Sequence, residues 1–177
     1  MGIIKEPQSA LVFAGLLISD GFDPETISER LVGCFGQIIK RSAPQHFTQT
    51  TYYNEEMGDR IMRQWLVFAE PCDPVSLADK KRVTNMIEQE NLNEQGGRQV
   101  NIDPGIITMS NVILASTKNY SHRIYLGKGI YGEVTLIYKG KTFSMLDWTY
   151  PDYREPPTIE FFNQARMLLK DELNNEA

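Results

Sequence analysis

At 177 residues, 41% hydrophobic and 23% charged, the chain has a globular composition, which excludes the disordered, collagen-like and membrane classes. Its 20.2 kDa suits one domain, residues 1–177, able to bury roughly 70% of its unfolded surface. A net charge of -5 argues against non-specific coating of nucleic acid, which needs many cations to neutralise phosphates.

The longest apolar run, Ala10–Ile18, is too short to span a bilayer. The sequence after it, SDGFDPETISERL, reads as a strand end entering a helix and not as a cleavage site, so a cytoplasmic protein without a membrane partner is expected. Cys34 and Cys72 are too few for a zinc site or disulfide framework and are expected to be buried free thiols.

Taken in chain order, Ala10–Ser19 has the length and continuous apolarity of a strand buried on both faces. Asp23-Pro24 is an N-cap with proline at the first helical position, and Ile27, Leu31 and Cys34/Phe35 recur at helical spacing up to Gly36. Gln37–Arg41 and Phe47–Tyr53 read as extended, Glu55–Gly58 as a turn or short helix, and Gln64–Glu70 as a strand. Asp73-Pro74 repeats the capping device before a helix to about Asn91, with Val83, Met86 and Ile87 inward and Lys81, Asn85 and Glu88 on an exposed polar stripe. With a strand at Gln99–Ile102, the order predicts an α+β fold: a ferredoxin-like split βαβ sheet over residues 10–102.

Asp103-Pro104-Gly105 reads as a turn, and Ile106–Ala115 suits either a strand or a helix. From His122 onward, HRIYL, IYGEVTLIY and KTFSML predict an antiparallel meander, so that residues 103–153 form the meander and site segment. A loop at 127–129 would set Ile124 opposite Gly132 and Arg123 opposite Glu133, and a loop at Lys139-Gly140 would pair Leu136 with Phe143. One face would then carry Ile124, Leu126, Val134, Leu136, Phe143 and Met145, and the other Arg123, Tyr125, Tyr131, Glu133 and Thr135. A C-terminal helix spans about 157–173, with Ile159, Phe162, Ala165, Leu169 and Leu173 on one side, and Asn174–Ala177 fraying beyond it.

The strings TTYYNEEMG (50–58), TNMIEQE (84–90), VNIDPG (100–105), TKNYSHRIYLGKGIYGEVTL (117–136) and WTYPDY (148–153) resemble, in that order, the hallmark segments of a bacterial and archaeal family, domain of unknown function 4416. The resemblance spans nearly the whole chain and implies no activity or cofactor. The chain lacks the G-x-x-x-x-G-K-[ST] phosphate loop and the Asn-Lys-x-Asp base-reading motif that guanine-nucleotide binding would require.

Candidate site residues concentrate between Arg98 and Thr135, where charged groups lie among apolar ones and must be paired, liganded or shifted in pKa. His122, Asp103 and Glu133 are the catalytic candidates: His122 titrates near neutrality, and Asp103 could serve as base or metal ligand. Asn101, Lys118, Arg123 and Tyr125 are the ligand-binding candidates, Arg123 offering a planar fork to a phosphate or carboxylate. Three cationic or titratable groups within six residues, Lys118, His122 and Arg123, suit the binding, and with the catalytic candidates the turnover, of a small anionic ligand such as a nucleotide or phosphorylated metabolite. The competing reading is a non-catalytic protein- or RNA-interaction module, with the polar cluster as a structural network and residues 148–153 as the contact segment. His46-Phe47-Thr48 matches the His-x-Thr element of two-histidine phosphodiesterases, yet His122-Arg123-Ile124 lacks the second hydroxyl, so His46 is expected to be non-catalytic. Two histidines are also too few for a zinc site.

Overall fold

In the computed structural model, which describes residues 2–175, the apolar run becomes strand β1 (Ala10–Ser19), buried along all but its last residue. On one side it pairs with β4 (Ile61–Cys72) and on the other with β5 (Val100–Ile107), both antiparallel. Its even-numbered residues Val12, Ala14, Leu16 and Ile18 meet Ile27 and Leu31 of α1 (Pro24–Phe35) and Ile87 of α3 (Leu77–Glu90). Its odd-numbered Leu11 and Phe13 meet Phe161, Phe162, Ala165 and Leu169 of α4 (Pro156–Asn175) on the opposite face. Helices on both faces are why this strand reads as unbroken apolar sequence and not as an alternation.

The result is a mixed α+β fold around one sheet, with strand order β2-β4-β1-β5-β6-β8-β7. β2 (Ile38–Arg41) and β3 (Gln45–His46) share the outer edge of β4. Beyond β5 come β6 (Asn111–Ser116) and β8 (Ile130–Lys139), whose far edge holds β7 (Ile124–Gly127) and β9 (Thr142–Met145) end to end. The predicted caps form: Asp23 Oδ1 accepts from Glu25 N at 3.0 Å, and Asp73 Oδ1 from Val75 N at 2.9 Å. No helix among the described residues is long and apolar enough to cross a membrane.

Several expectations are overturned. Phe47–Tyr53 is not a strand; it is an irregular segment leading into the four-residue α2 (Asn54–Met57). Asp103-Pro104-Gly105 is not a turn and lies inside β5, which thereby runs across the predicted boundary at 102/103. Proline is tolerated because an N–H at 104 would point away from β1 and so takes no part in the β1–β5 ladder. Ile102, two residues earlier, turns its N–H and C=O to that same side, where side chains of α3 and not a strand meet them. Ile106–Ala115 is neither a single strand nor a helix; it is the hairpin of β5 and β6 turning at Thr108–Ser110. The last hairpin turns at Gly140-Lys141, both at positive φ, so Leu136 pairs with Met145 and Tyr138 with Phe143, two positions from the expected register. β8 is also not the middle of a three-strand meander, because β6 takes its other edge.

Burial corrects the sequence in the same way. Ile124, Leu126 and Met145 of the predicted apolar face are 72%, 42% and 58% exposed at the outer edge of the sheet, while Glu133 and Thr135 are buried. Met86 faces water, whereas Lys81 and Glu88 of the supposed exposed stripe are buried against β5. Cys34 is exposed and Cys72 half-buried, so neither thiol lies in the core. α4 continues through Asn174 and Asn175 where fraying was expected, and residues 176–177 lie outside the described range.

Candidate functional site

The β5–β6 ladder covers only Gly105–Ile107 against Val112–Leu114, so the earlier half of β5 has a free edge. Side chains of α3 occupy it: Glu88 Oε1 accepts from Ile102 N at 2.7 Å, and Lys81 Nζ donates to Ile102 O at 2.8 Å. Two compartments of about 370 and 440 Å³ open where the strands part. Tyr52, Tyr53, Asp103, Lys118 and Tyr150 line both, making them one cleft in two parts.

Asn101, Asp103 and Lys118 of the predicted set line this cleft. Asn101 Nδ2 donates to Asp103 Oδ2 at 3.0 Å, and Lys118 Nζ to Tyr52 Oη at 3.2 Å. Two buried cations approach Asp103 from either side without reaching hydrogen-bond distance, Arg63 Nη1 at 3.8 Å and Lys81 Nζ at 3.8 Å.

His122, Arg123 and Glu133 also come together, but behind the cleft lip and not in the cleft. Glu133, 2% exposed, accepts at Oε2 from Arg123 Nε at 2.7 Å and contacts His122 Nε2 at 3.1 Å. Arg123 Nη1 donates to Lys118 O at 2.8 Å and Ser116 Oγ at 3.2 Å, and Nη2 to Tyr150 Oη at 2.7 Å. The His122 ring stacks on Trp148 at 5.0 Å. Burial opposes the Arg123 charge, but Glu133 and Tyr150 outweigh it and hold the guanidinium above its ordinary pKa. Tyr150 is shifted upward, by burial first and then by Glu133. Tyr125 is not brought to the cleft: it sits 59% exposed on β7, beside Tyr131. His46 is exposed on β3, where no second His-x-Thr element faces it.

The structure adds residues that lie outside the candidate site set. Arg98 grips Glu56 with Nε at 2.7 Å and Nη2 at 2.8 Å, and Nη1 donates to Glu88 Oε2 at 3.0 Å and Asn101 Oδ1 at 2.9 Å. The Arg98 hydrogen bond lowers the Glu56 pKa, while burial raises that of Glu88. Tyr53 is pushed well up, by burial first and then by Asp103. Arg63, 8% exposed in its side chain, reaches Asp152 Oδ2 with Nη2 at 2.7 Å. Signals for these existed: Arg63 is in phase with inward-facing Trp65 and Val67 on β4, and Lys81, Thr84 and Glu88 continue the buried stripe begun by Leu77 on α3. No group of three or more His, Cys, Asp or Glu among the described residues is arranged to hold a metal ion.

Residues 8–168 match the family model described as Domain of unknown function (DUF4416), and the chain belongs to that family. No curated protein and no solved structure matches the chain.

Proposed function

We propose that the protein is a non-catalytic interaction module whose polar network is structural, and that a protein partner docks on the outer end of the sheet. The observation that carries this is exposure: Ile124, Leu126, Met145 and Trp148, from β7, β9 and the segment after it, are 72%, 42%, 58% and 40% exposed. Single apolar residues on a surface are ordinary, whereas Ile124 and Leu126 lie on one face of β7 and form a shared exposed apolar surface. The net charge of -5 favours protein over RNA as the partner. Arg98, Arg123 and Glu133 each have charged partners within the fold, which fits a network serving the architecture. A photoreactive side chain at Leu126 should give a discrete cross-linked partner in extract of the source cells, lost on Ile124→Glu. The same group at Met167 on α4 should give none, and equal labelling from both positions would end this reading.

The second reading, a cleft that binds and turns over a small anionic ligand such as a nucleotide or phosphorylated metabolite, is favoured by Asn101, Asp103 and Lys118 lining one cleft with Tyr53 and Tyr150. Arg123, His122 and Glu133 would then act on its lip, through Lys118 O and Tyr150 Oη. A thermal-shift screen of nucleotides and metabolites tests it, because a ligand of the folded state raises stability by mass action. For the architecture, the order β2-β4-β1-β5, with α1 between β1 and β2 and α3 between β4 and β5, supports a ferredoxin-like split βαβ sheet extended by β6–β9. A single-domain cytoplasmic protein completes the proposal.

A further inference from the structure

Arg63 lies flat on Trp65, with its guanidinium carbon 3.8 Å from the indole centroid. Gly15 makes this possible: a Cβ there would stand 2.4 Å from the Trp65 ring and 3.1 Å from Arg63 Nη1. Nη2 is paired with Asp152, but Nε and Nη1 have no hydrogen-bond partner although they are buried. Asp103, the nearest further carboxylate, stands off at 3.8 Å with Oδ2 engaged by Asn101. An arginine is charged at any physiological pH, and a buried N–H left unpaired is costly, so each such group calls for an absent partner.

The larger compartment of the cleft is lined by Arg63 and walled by Phe47, Tyr52, Tyr53 and Tyr150. Lys118, whose side chain bonds only to Tyr52 Oη, stands at its mouth. Its roughly 440 Å³ is in the range of small-ligand pockets, and its aromatic walls suit a flat body.

We propose that Arg63 anchors an oxyanion subsite, and that the ligand is a small molecule with a flat ring and one carboxylate or phosphate. The proposal rests on the cleft reading and adds an anchor that lies outside the sequence-predicted residues. The oxyanion meets Arg63 at the floor and Lys118 at the mouth, and the ring lies among the tyrosines. Lys118 can swing inward because it is exposed and is held by Tyr52 alone, through its hydroxyl and its ring.

Three probes share one ring: benzoate, phenyl phosphate and neutral benzamide. They are titrated into the ¹⁵N-labelled full chain, following the Arg63 Nε–H resonance and the amides of Asn101 and Lys118. The expected result is a saturable shift of all three signals with at least one anionic probe, benzamide binding about tenfold more weakly, as loss of a charge-assisted hydrogen bond requires. The tighter of benzoate and phenyl phosphate identifies the oxyanion. In Arg63→Lys the affinity falls by about tenfold, since the planar fork is lost and the charge kept. If the Asn101 and Lys118 amides shift while Arg63 Nε–H does not, or if benzamide binds equally well, the Arg63 subsite is overturned and the cleft reading stands. If none of the signals moves, both are overturned. The Nε–H measurement on the unmodified protein decides the matter even where Arg63→Lys does not fold.

Discussion

Glu133 shows how a carboxylate persists in an interior: at 2% exposure it is held by Arg123, His122 and Thr135. Removing one member of a buried pair strands the other charge, so Glu133→Gln should cost about 3–5 kcal/mol. Arg123→Lys should also destabilise, and the double variant should cost less than the sum of the singles because both break one interaction. Urea denaturation of the four proteins measures this; additive losses would mean the pair is not coupled. Glu56 and Glu88 share Arg98 but are shifted oppositely, which gives a pH test. Glu56 is more acidic in the fold than its ordinary 4.5, so its contribution is present above that pH and is lost as pH falls through the folded pKa. Glu88 is less acidic, so its contribution is present below 4.5 and is lost as pH rises through its folded pKa. Glu56→Gln should therefore destabilise at neutral pH and converge with the parent in acid. Glu88→Gln should flatten the fall in stability as pH rises above that value, and denaturation midpoints across the acid range check both.

At the scale of elements, β5 is the strand that both completes the central sheet and opens the cleft. Its free edge is satisfied by Lys81 and Glu88 instead of a strand, and Pro104 removes a donor from that same edge. Lys81→Met should leave Ile102 O without its partner and Glu88 with one cation fewer, a loss of about 1–3 kcal/mol at neutral pH. Faster amide exchange at Ile102 than at Ile106, which β6 covers, would locate the effect on the open half of the strand. β1 carries a second test. Gly15→Ala would place a methyl group 2.4 Å from Trp65, so that a neighbour must shift. Overpacking of this kind costs about 1–3 kcal/mol, and a calorimetric Tm unchanged by the substitution would show that Trp65 can move aside.

For the molecule as a whole, the sheet separates two apolar cores, and α4 alone supplies the helical cover of one of them. Phe162 is its centre, in contact with the rings of Phe13, Trp65 and Tyr153. Phe162→Ala should cost about 3–5 kcal/mol. Because Trp65 also carries Arg63, the same substitution should loosen the cleft floor, seen as broadening of the Arg63 Nε–H resonance. Loss of stability without that broadening would show the cleft to be insulated from this core. At the outer edge of the sheet Ile124, Leu126 and Met145 still meet water.

The sequence alone determined the elements whose cause is local. Continuous apolarity marked β1, Asp-Pro caps marked the starts of α1 and the α3 unit, and glycine at 127–129 set Ile124 opposite Gly132. It also gathered Asn101, Asp103, Lys118, His122, Arg123 and Glu133 into one expected cleft, since charges among apolar residues must find partners; the first three line the cleft, and the last three pair with one another behind its lip. Tertiary structure alone decided the rest. Pro104 could enter a strand because its missing N–H lies on the side away from β1, and Lys81 and Glu88 could be buried only because a free strand edge needed their donor and acceptor. Arg63 became the cleft floor through Trp65 and Gly15, from two neighbouring strands. Exposure of Ile124 and Leu126, on a strand at the sheet edge, was likewise decided by the fold. Local pattern fixes which face a side chain takes, whereas what lies against that face is set by segments far away in the chain.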